Sequence, residues 1–165
     1  MTSRLNMSPR LNAAALAPGL YKAYLTFSTA QKEAGLETVL HDLVNIRASQ
    51  LNGCAFCLDM HVKEAKIHGE RELRLHHVAI WRESPLFTPR EKAALAWTEA
   101  LTRLGHDGLS DAVYEEGRGQ FSEQELVQLT FAVMTINGWN RLNIAFRNTP
   151  GTLDAMLGLT AAGLS

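Results

Sequence analysis

Three side chains able to make and break covalent bonds fall close together: Cys54, Cys57 and His61. They lie in the run Asn52-Gly53-Cys54-Ala55-Phe56-Cys57-Leu58-Asp59-Met60-His61. On a helix, residues three and four apart share a face. The spacing therefore sets both sulfurs and the imidazole on one stripe. Asn52-Gly53 reads as a helix break, so the cysteines fall in the first turn of the next helix. There the unpaired backbone N–H groups favour a thiolate. A neighbouring imidazole lowers a thiol pKa further or accepts its proton. Together these are the requirements for a nucleophilic sulfur with a resolving partner at disulfide distance.

The chain holds only these two cysteines. A bridge between residues so close would constrain little chain, so chemistry explains the pair better than stabilisation. Zinc is the rival reading, since two thiolates and an imidazole are good ligands. A closed zinc site needs a fourth ligand, however, and His41, His68, His76 and His77 stand at no diagnostic spacing. The expectation is therefore a redox pair that uses neither metal nor cofactor. Two small core thiols beside a satisfied histidine is the third reading. A thioredoxin fold is disfavoured, because no strands flank the motif. Asp59, two residues after Cys57, faces away from the stripe and complements the helix start.

The elements that must position these groups read as helices with short breaks. Leu20 to Lys32 is followed by the break Ala34-Gly35. In Leu36 to Leu51 the apolar residues Leu36, Val39, Leu40, Leu43, Val44, Ile46 and Leu51 fall mostly at helical spacing. Further helices span Cys54 to Ile67 and Glu70 to Arg82. Thr88-Pro89-Arg90-Glu91 and Ser122-Glu123-Gln124-Glu125 are capping boxes that begin two more, the second reaching Phe146. Ser110 caps a short helix through Tyr114, and Thr152 to Leu164 is a weakly amphipathic tail. Nothing alternates with the period of a strand. The expected fold is an all-α bundle in a single domain, 1–165.

The 165 residues are 46% hydrophobic and 20% charged, with a formal net charge of -1. Such a balance argues against disorder and gives no basic surface for nucleic acid or for an anionic membrane. No apolar run approaches the length of a membrane span. The first residues, Met1 to Arg10, contain no apolar core of a secretory leader, so the expected compartment is the cytoplasm. Apolar side chains in excess of one face per helix, among them Trp97, Phe131, Met134 and Trp139, point to contacts between subunits.

The segment Leu43-Val44-Asn45-Ile46-Arg47-Ala48-Ser49-Gln50-Leu51-Asn52-Gly53-Cys54-Ala55-Phe56-Cys57-Leu58-Asp59-Met60-His61 resembles the core of the alkylhydroperoxidase D-like proteins. These belong to the carboxymuconolactone decarboxylase superfamily. The likeness continues through Trp81 to Phe87, Ala93 to Trp97 and Ile136 to Arg141. It implies a helical fold assembled as a homo-oligomer, a trimer or hexamer. It also implies reduction of a hydroperoxide by the dithiol, which a lipoyl-type or other thiol donor then re-reduces. By position, Cys57 matches the peroxide-attacking cysteine, Cys54 its resolving partner and His61 the histidine of a proton relay. Asp42, twelve residues before Cys54, stands where the family carries the relay glutamate, and Phe56 where some members carry histidine. An uninterrupted helix would turn Asp42 about 120° from the cysteine stripe; the Asn52-Gly53 break allows it to be re-aimed. A lyase of the decarboxylase type, which needs neither cysteine, and a non-catalytic thiol sensor or binding protein are the alternatives.

Overall fold

The computed structural model describes residues 8–164. Its helices are α1 (Ala13–Leu16), α2 (Pro18–Lys32), α3 (Thr38–Asn52), α4 (Ala55–Ile67), α5 (Glu72–His77), α6 (Pro89–Thr102), α7 (Asp111–Gln120), α8 (Glu123–Phe146) and α9 (Asp154–Leu157). Two 3-10 turns, Val78–Ile80 and Leu159–Ala162, complete the order. No strand occurs among the described residues, so the fold is all-α. Nor is any described helix long and apolar enough to cross a membrane.

Local signals account for most helix starts. At α6, Thr88 Oγ1 accepts from the Glu91 N–H at 3.2 Å while the Glu91 carboxylate accepts from the Thr88 N–H at 2.7 Å. At α8, Ser122 and Glu125 repeat the reciprocal pair at 3.3 and 2.8 Å. Caps of this kind each stabilise a helix by roughly 1 kcal/mol. Several ends differ from the sequence expectation. The segment after α4 divides into α5 and a 3-10 turn in place of one helix. Ser110 caps α7, which runs on to Gln120. The tail is split into α9 and a 3-10 turn by Gly158, which sits in the left-handed region.

Helix α3 is the centre of the packing, in contact with α4, α6 and α8. One of its stripes, Leu36, Leu40, Val44 and Ala48, joins a core that includes Cys54, Cys57, Trp97, Leu129, Val133 and Ile136. Another stripe, Leu43 and Ile46, packs with Leu75, Val78, Trp81, Phe87 and Leu95. Each such buried side chain stabilises the fold by about 1.5–3 kcal/mol. Of the aromatics expected at subunit contacts, Trp97 is buried within the chain, whereas Phe131 is exposed.

The corner between α3 and α4 has a specific construction. Gly53 adopts φ 69°, which glycine tolerates without a Cβ penalty. The Gly53 N–H then donates to the Gln50 carbonyl at 3.3 Å and the Cys54 N–H to the Ser49 carbonyl at 3.0 Å. This is the double bond pattern of a Schellman end. Side chains of α8 clamp the corner: Asn52 Nδ2 donates to Asn137 Oδ1 at 3.0 Å and to Asn140 Oδ1 at 2.8 Å. Asn140, wholly buried, donates in turn to Ser49 Oγ at 3.1 Å.

Helix α2 lies against α8, where the Tyr24 hydroxyl donates to the Thr135 carbonyl at 2.7 Å. Gly138 makes this approach possible, because a Cβ there would fall 1.9 Å from the Tyr24 oxygen. The tail is fastened by Lys63 on α4, a buried ammonium that donates to Asp59 at 2.8 Å and to Asp154 at 2.7 Å.

Candidate functional site

The corner delivers Cys54 to the N-cap of α4 in extended conformation. Its sulfur accepts the Cys57 N–H at 3.3 Å, so one unpaired donor of the helix start is spent on a sulfur. Cys54 and Cys57 are joined as a disulfide, with Cα atoms 5.4 Å apart, and both are buried. A second donor reaches the pair from α8: Asn143 Nδ2 lies 3.4 Å from the Cys57 sulfur. Asn143 is held in turn by Asn148, whose amide donates to its Oδ1 at 2.6 Å. Phe56 and Asn148 both line an open cleft of about 710 Å³ between the N-terminal segment and the tail.

His61 follows Cys57 by one helical turn and is buried. Its Nδ1 lies 2.7 Å from Glu64 Oε2, on the same helix, and Lys32 of α2 stands 3.7 Å from the other carboxylate oxygen. Burial on its own would raise the Glu64 carboxyl; the hydrogen bond and charge of His61, with Lys32 and His68, hold it down at about 2. It is therefore an anion throughout the neutral range. Asp42 points elsewhere. Its carboxylate sits 2.8 Å from His68 Nδ1, and burial pushes its pKa up against the pull of His68 and, more weakly, of His61. The carboxylate on His61 is thus Glu64, and the one on His68 is Asp42. Asp59, away from the stripe, is occupied by Lys63.

Beside His61 lies a small cavity of about 100 Å³ where α2, α3, α4 and α8 meet, lined by Gln31, His41, His61, Glu64 and Trp139 among others. Gln31 Nε2 and His41 Nε2 are buried there without a hydrogen-bond partner among the described residues. Burial holds His41 far below the usual histidine range, at about 4, and the nearby Lys32 charge adds to the effect. No group of three or more His, Cys, Asp or Glu side chains is arranged to hold a metal ion among the described residues.

The carboxymuconolactone decarboxylase family model matches residues 18–100, a stretch that contains the cysteine pair, His61 and Glu64. The uncharacterized protein YdfG of Bacillus subtilis (strain 168) is 35% identical over 142 residues, covering 86% of this chain and 97% of that protein. The chain belongs to the carboxymuconolactone decarboxylase family. Within that family it is alkylhydroperoxidase D-like. A protein of unknown function from Agrobacterium tumefaciens, described as a candidate antioxidant defence protein AhpD, superposes with a TM-score of 0.85. The two are 39% identical over 88% of this chain and 99% of that one. A peroxidase-related protein of Ralstonia eutropha JMP134 with an alkylhydroperoxidase AhpD core shares the fold, with a TM-score of 0.75. It is 19% identical over 85% of this chain and 75% of that one.

In this family member the sequence reading brought Cys54, Cys57 and His61 together but passed over Glu64, Asn143 and Gln31, and weighed His41 only as a zinc ligand. Glu64 had a usable signal, an acid three residues after His61 on one helix. Asn143 had another: Asn137, Asn140 and Asn143 recur at helical spacing inside an apolar helix. Nothing in the sequence marks Gln31, or marks His41 as its neighbour.

The buried neutral imidazole has a measurable consequence. Between the unfolded histidine value of about 6.5 and the folded value of about 4, the unfolded chain binds a proton that the folded chain refuses. Stability should therefore fall as pH drops through that window and level off below it. His41→Gln should flatten the fall by up to about 1.4 kcal/mol per pH unit. Lys32 from α2, with His61 and Glu64 from α4, faces the same cavity and is present in both proteins. Urea unfolding across the window reads the difference, and parallel profiles would refute it.

Proposed function

We propose that this protein is a thiol-dependent peroxidase that reduces hydroperoxides through Cys54 and Cys57. The observation that carries the proposal is a bonded cysteine pair at a helix start, followed one turn later by a histidine backed by a carboxylate. In the reduced protein, His61 takes the proton of the Cys57 thiol. The thiolate attacks the terminal oxygen of ROOH, the O–O bond breaks, and RO⁻ leaves with that proton as ROH. Cys57 becomes a sulfenic acid. The Cys54 thiol then gives up its proton to the departing hydroxyl as its sulfur attacks Cys57, so that water leaves and the disulfide forms. An external dithiol of lipoyl type restores both thiols by exchange and is itself oxidised to a disulfide. The N-cap position suits Cys54 to that last step, since a stabilised thiolate is the better leaving group. Family membership supports antioxidant chemistry of this kind in a reducing compartment such as the cytoplasm. A lyase would have no use for the paired sulfurs.

In this reading Glu64 orients His61 and keeps its proton on the nitrogen nearest the carboxylate. Asp42 contributes through His68 and at longer range. Exposed apolar side chains on α2 and α8, including Leu20, Leu25, Phe131 and Met134, form the contact between copies in a homo-oligomer.

Three measurements test these statements. With Cys57→Ser, a sulfenate-specific label should fail to attach after peroxide treatment, whereas Cys54→Ser should accumulate label and over-oxidise. Label on Cys54 in the Cys57→Ser protein would reverse the assignment. Stopped-flow oxidation should slow roughly 100-fold in Glu64→Gln, the lower end of what a positioned acid–base group contributes, and much less in Asp42→Asn. The opposite ranking would return the relay to Asp42. Light scattering should give a mass several times 18.2 kDa; a single-chain mass at every concentration would remove the oligomer.

A further inference from the structure

The cavity beside His61 contains two polar groups for which the protein supplies no partner. Gln31 is 9% exposed and His41 6% exposed, and the Nε2 of each is buried without a hydrogen bond among the described residues. A buried donor left unsatisfied costs about 1–3 kcal/mol. Such groups persist where a small molecule completes them. The space, about 100 Å³, holds about three waters at roughly 30 Å³ each, or one hydrogen peroxide with room to spare.

The character of the lining decides what fits. Glu64 is engaged by His61 and Lys32. The Gln31 amide nitrogen can only donate. His41 is neutral in the working range and donates through Nε2 in the tautomer that carries its proton there. Lys32 adds positive charge from α2. The buried groups left without a partner among the described residues are thus both donors. The site suits an oxygen that is gaining negative charge. The sulfurs do not line it, but His61 does, and Ile136 belongs both to its wall and to the core around the cysteines.

We infer that Gln31 and His41 form a hydrogen-bonding pair that receives the leaving oxygen of the peroxide as the O–O bond breaks. This rests on the peroxidase reading above. When the Cys57 thiolate takes the terminal oxygen, the electron pair of the O–O bond passes to the other oxygen, which departs as RO⁻ or hydroxide. The two donors stabilise that charge until the proton held by His61 neutralises it. Such preorganised donors act most where charge develops in the transition state.

The test compares two small oxidants that differ in leaving group. Hydrogen peroxide must expel hydroxide, a poor leaving group that needs stabilisation. Peracetic acid expels acetate, which needs little. The reduced full-length protein, its Gln31→Leu and His41→Phe variants, and His41→Gln, which keeps a donor, are each oxidised in the stopped flow. Circular dichroism confirms that each is folded. Gln31→Leu and His41→Phe should lose on the order of 100-fold with hydrogen peroxide but only a few-fold with peracetic acid. His41→Gln should recover most of the loss. Equal slowing with both oxidants would overturn the assignment and leave the peroxidase reading standing, because a packing defect does not discriminate between leaving groups. A wild-type protein that reacts with neither oxidant faster than free cysteine would remove the peroxidase reading and this assignment together.

Discussion

The site depends on how α8 holds the corner between α3 and α4. Asn137, Asn140 and Asn143 recur every third residue on one side of α8 and reach, in order, Asn52, Ser49 with Asn52, and the Cys57 sulfur. These are buried amides in an otherwise apolar core, and each is worth keeping only because its partners are in place. Removing one leaves the others unsatisfied at about 1–3 kcal/mol each. What they secure is direction. With the last turn of α3 pinned and Gly53 in the left-handed region, the next helix has one exit angle. That angle brings Cys54 to the cap and turns the face with Cys57 and His61 toward the core.

The same arrangement treats the two sulfurs differently. Cys54 receives a backbone N–H from the start of α4, while Cys57 receives a side-chain amide from another helix. Helix-start donors favour a thiolate at Cys54 by a mechanism that belongs to any N-cap. Cys57 depends on tertiary contacts, Asn143 and the Asn148 that positions it. A local feature thus stabilises one anion, and a long-range one the other. That division fits a pair in which one sulfur is the leaving group and the other the site of oxidation.

How much was legible follows the same distinction between local and distant. The Asn52-Gly53 break, the capping boxes at Thr88 and Ser122, and the shared stripe of Cys54, Cys57 and His61 are written in neighbouring residues, and the structure has each of them. The helical class followed from periodicity alone. The partner of Asp42 was not legible, because the choice between His61 and His68 is made by how α3 and α4 pack. The meeting of Gln31 and His41 at one cavity was not legible for a related reason. Each looks like an ordinary polar position on its own helix, and only the approach of α2 to α8, permitted at Gly138, buries them against one another's cavity. The end of the last long helix at Phe146 was legible as well; what the sequence does not show is that Arg147 closes it in a left-handed conformation that arginine seldom takes.

Cys54, Cys57, His61 and Glu64 all travel on one short stretch of chain, from the cap of α4 through its third turn. Apart from His61 and Glu64 themselves, the cavity beside them is assembled from α2, α3 and α8. The two are therefore separable in descent. A lineage can exchange Gln31, His41 or Trp139, and so reshape the opening, while the covalent apparatus is inherited as a single uninterrupted piece. Divergence in what such proteins admit would then leave few marks in the cysteine segment, and two chains alike there can differ in diet.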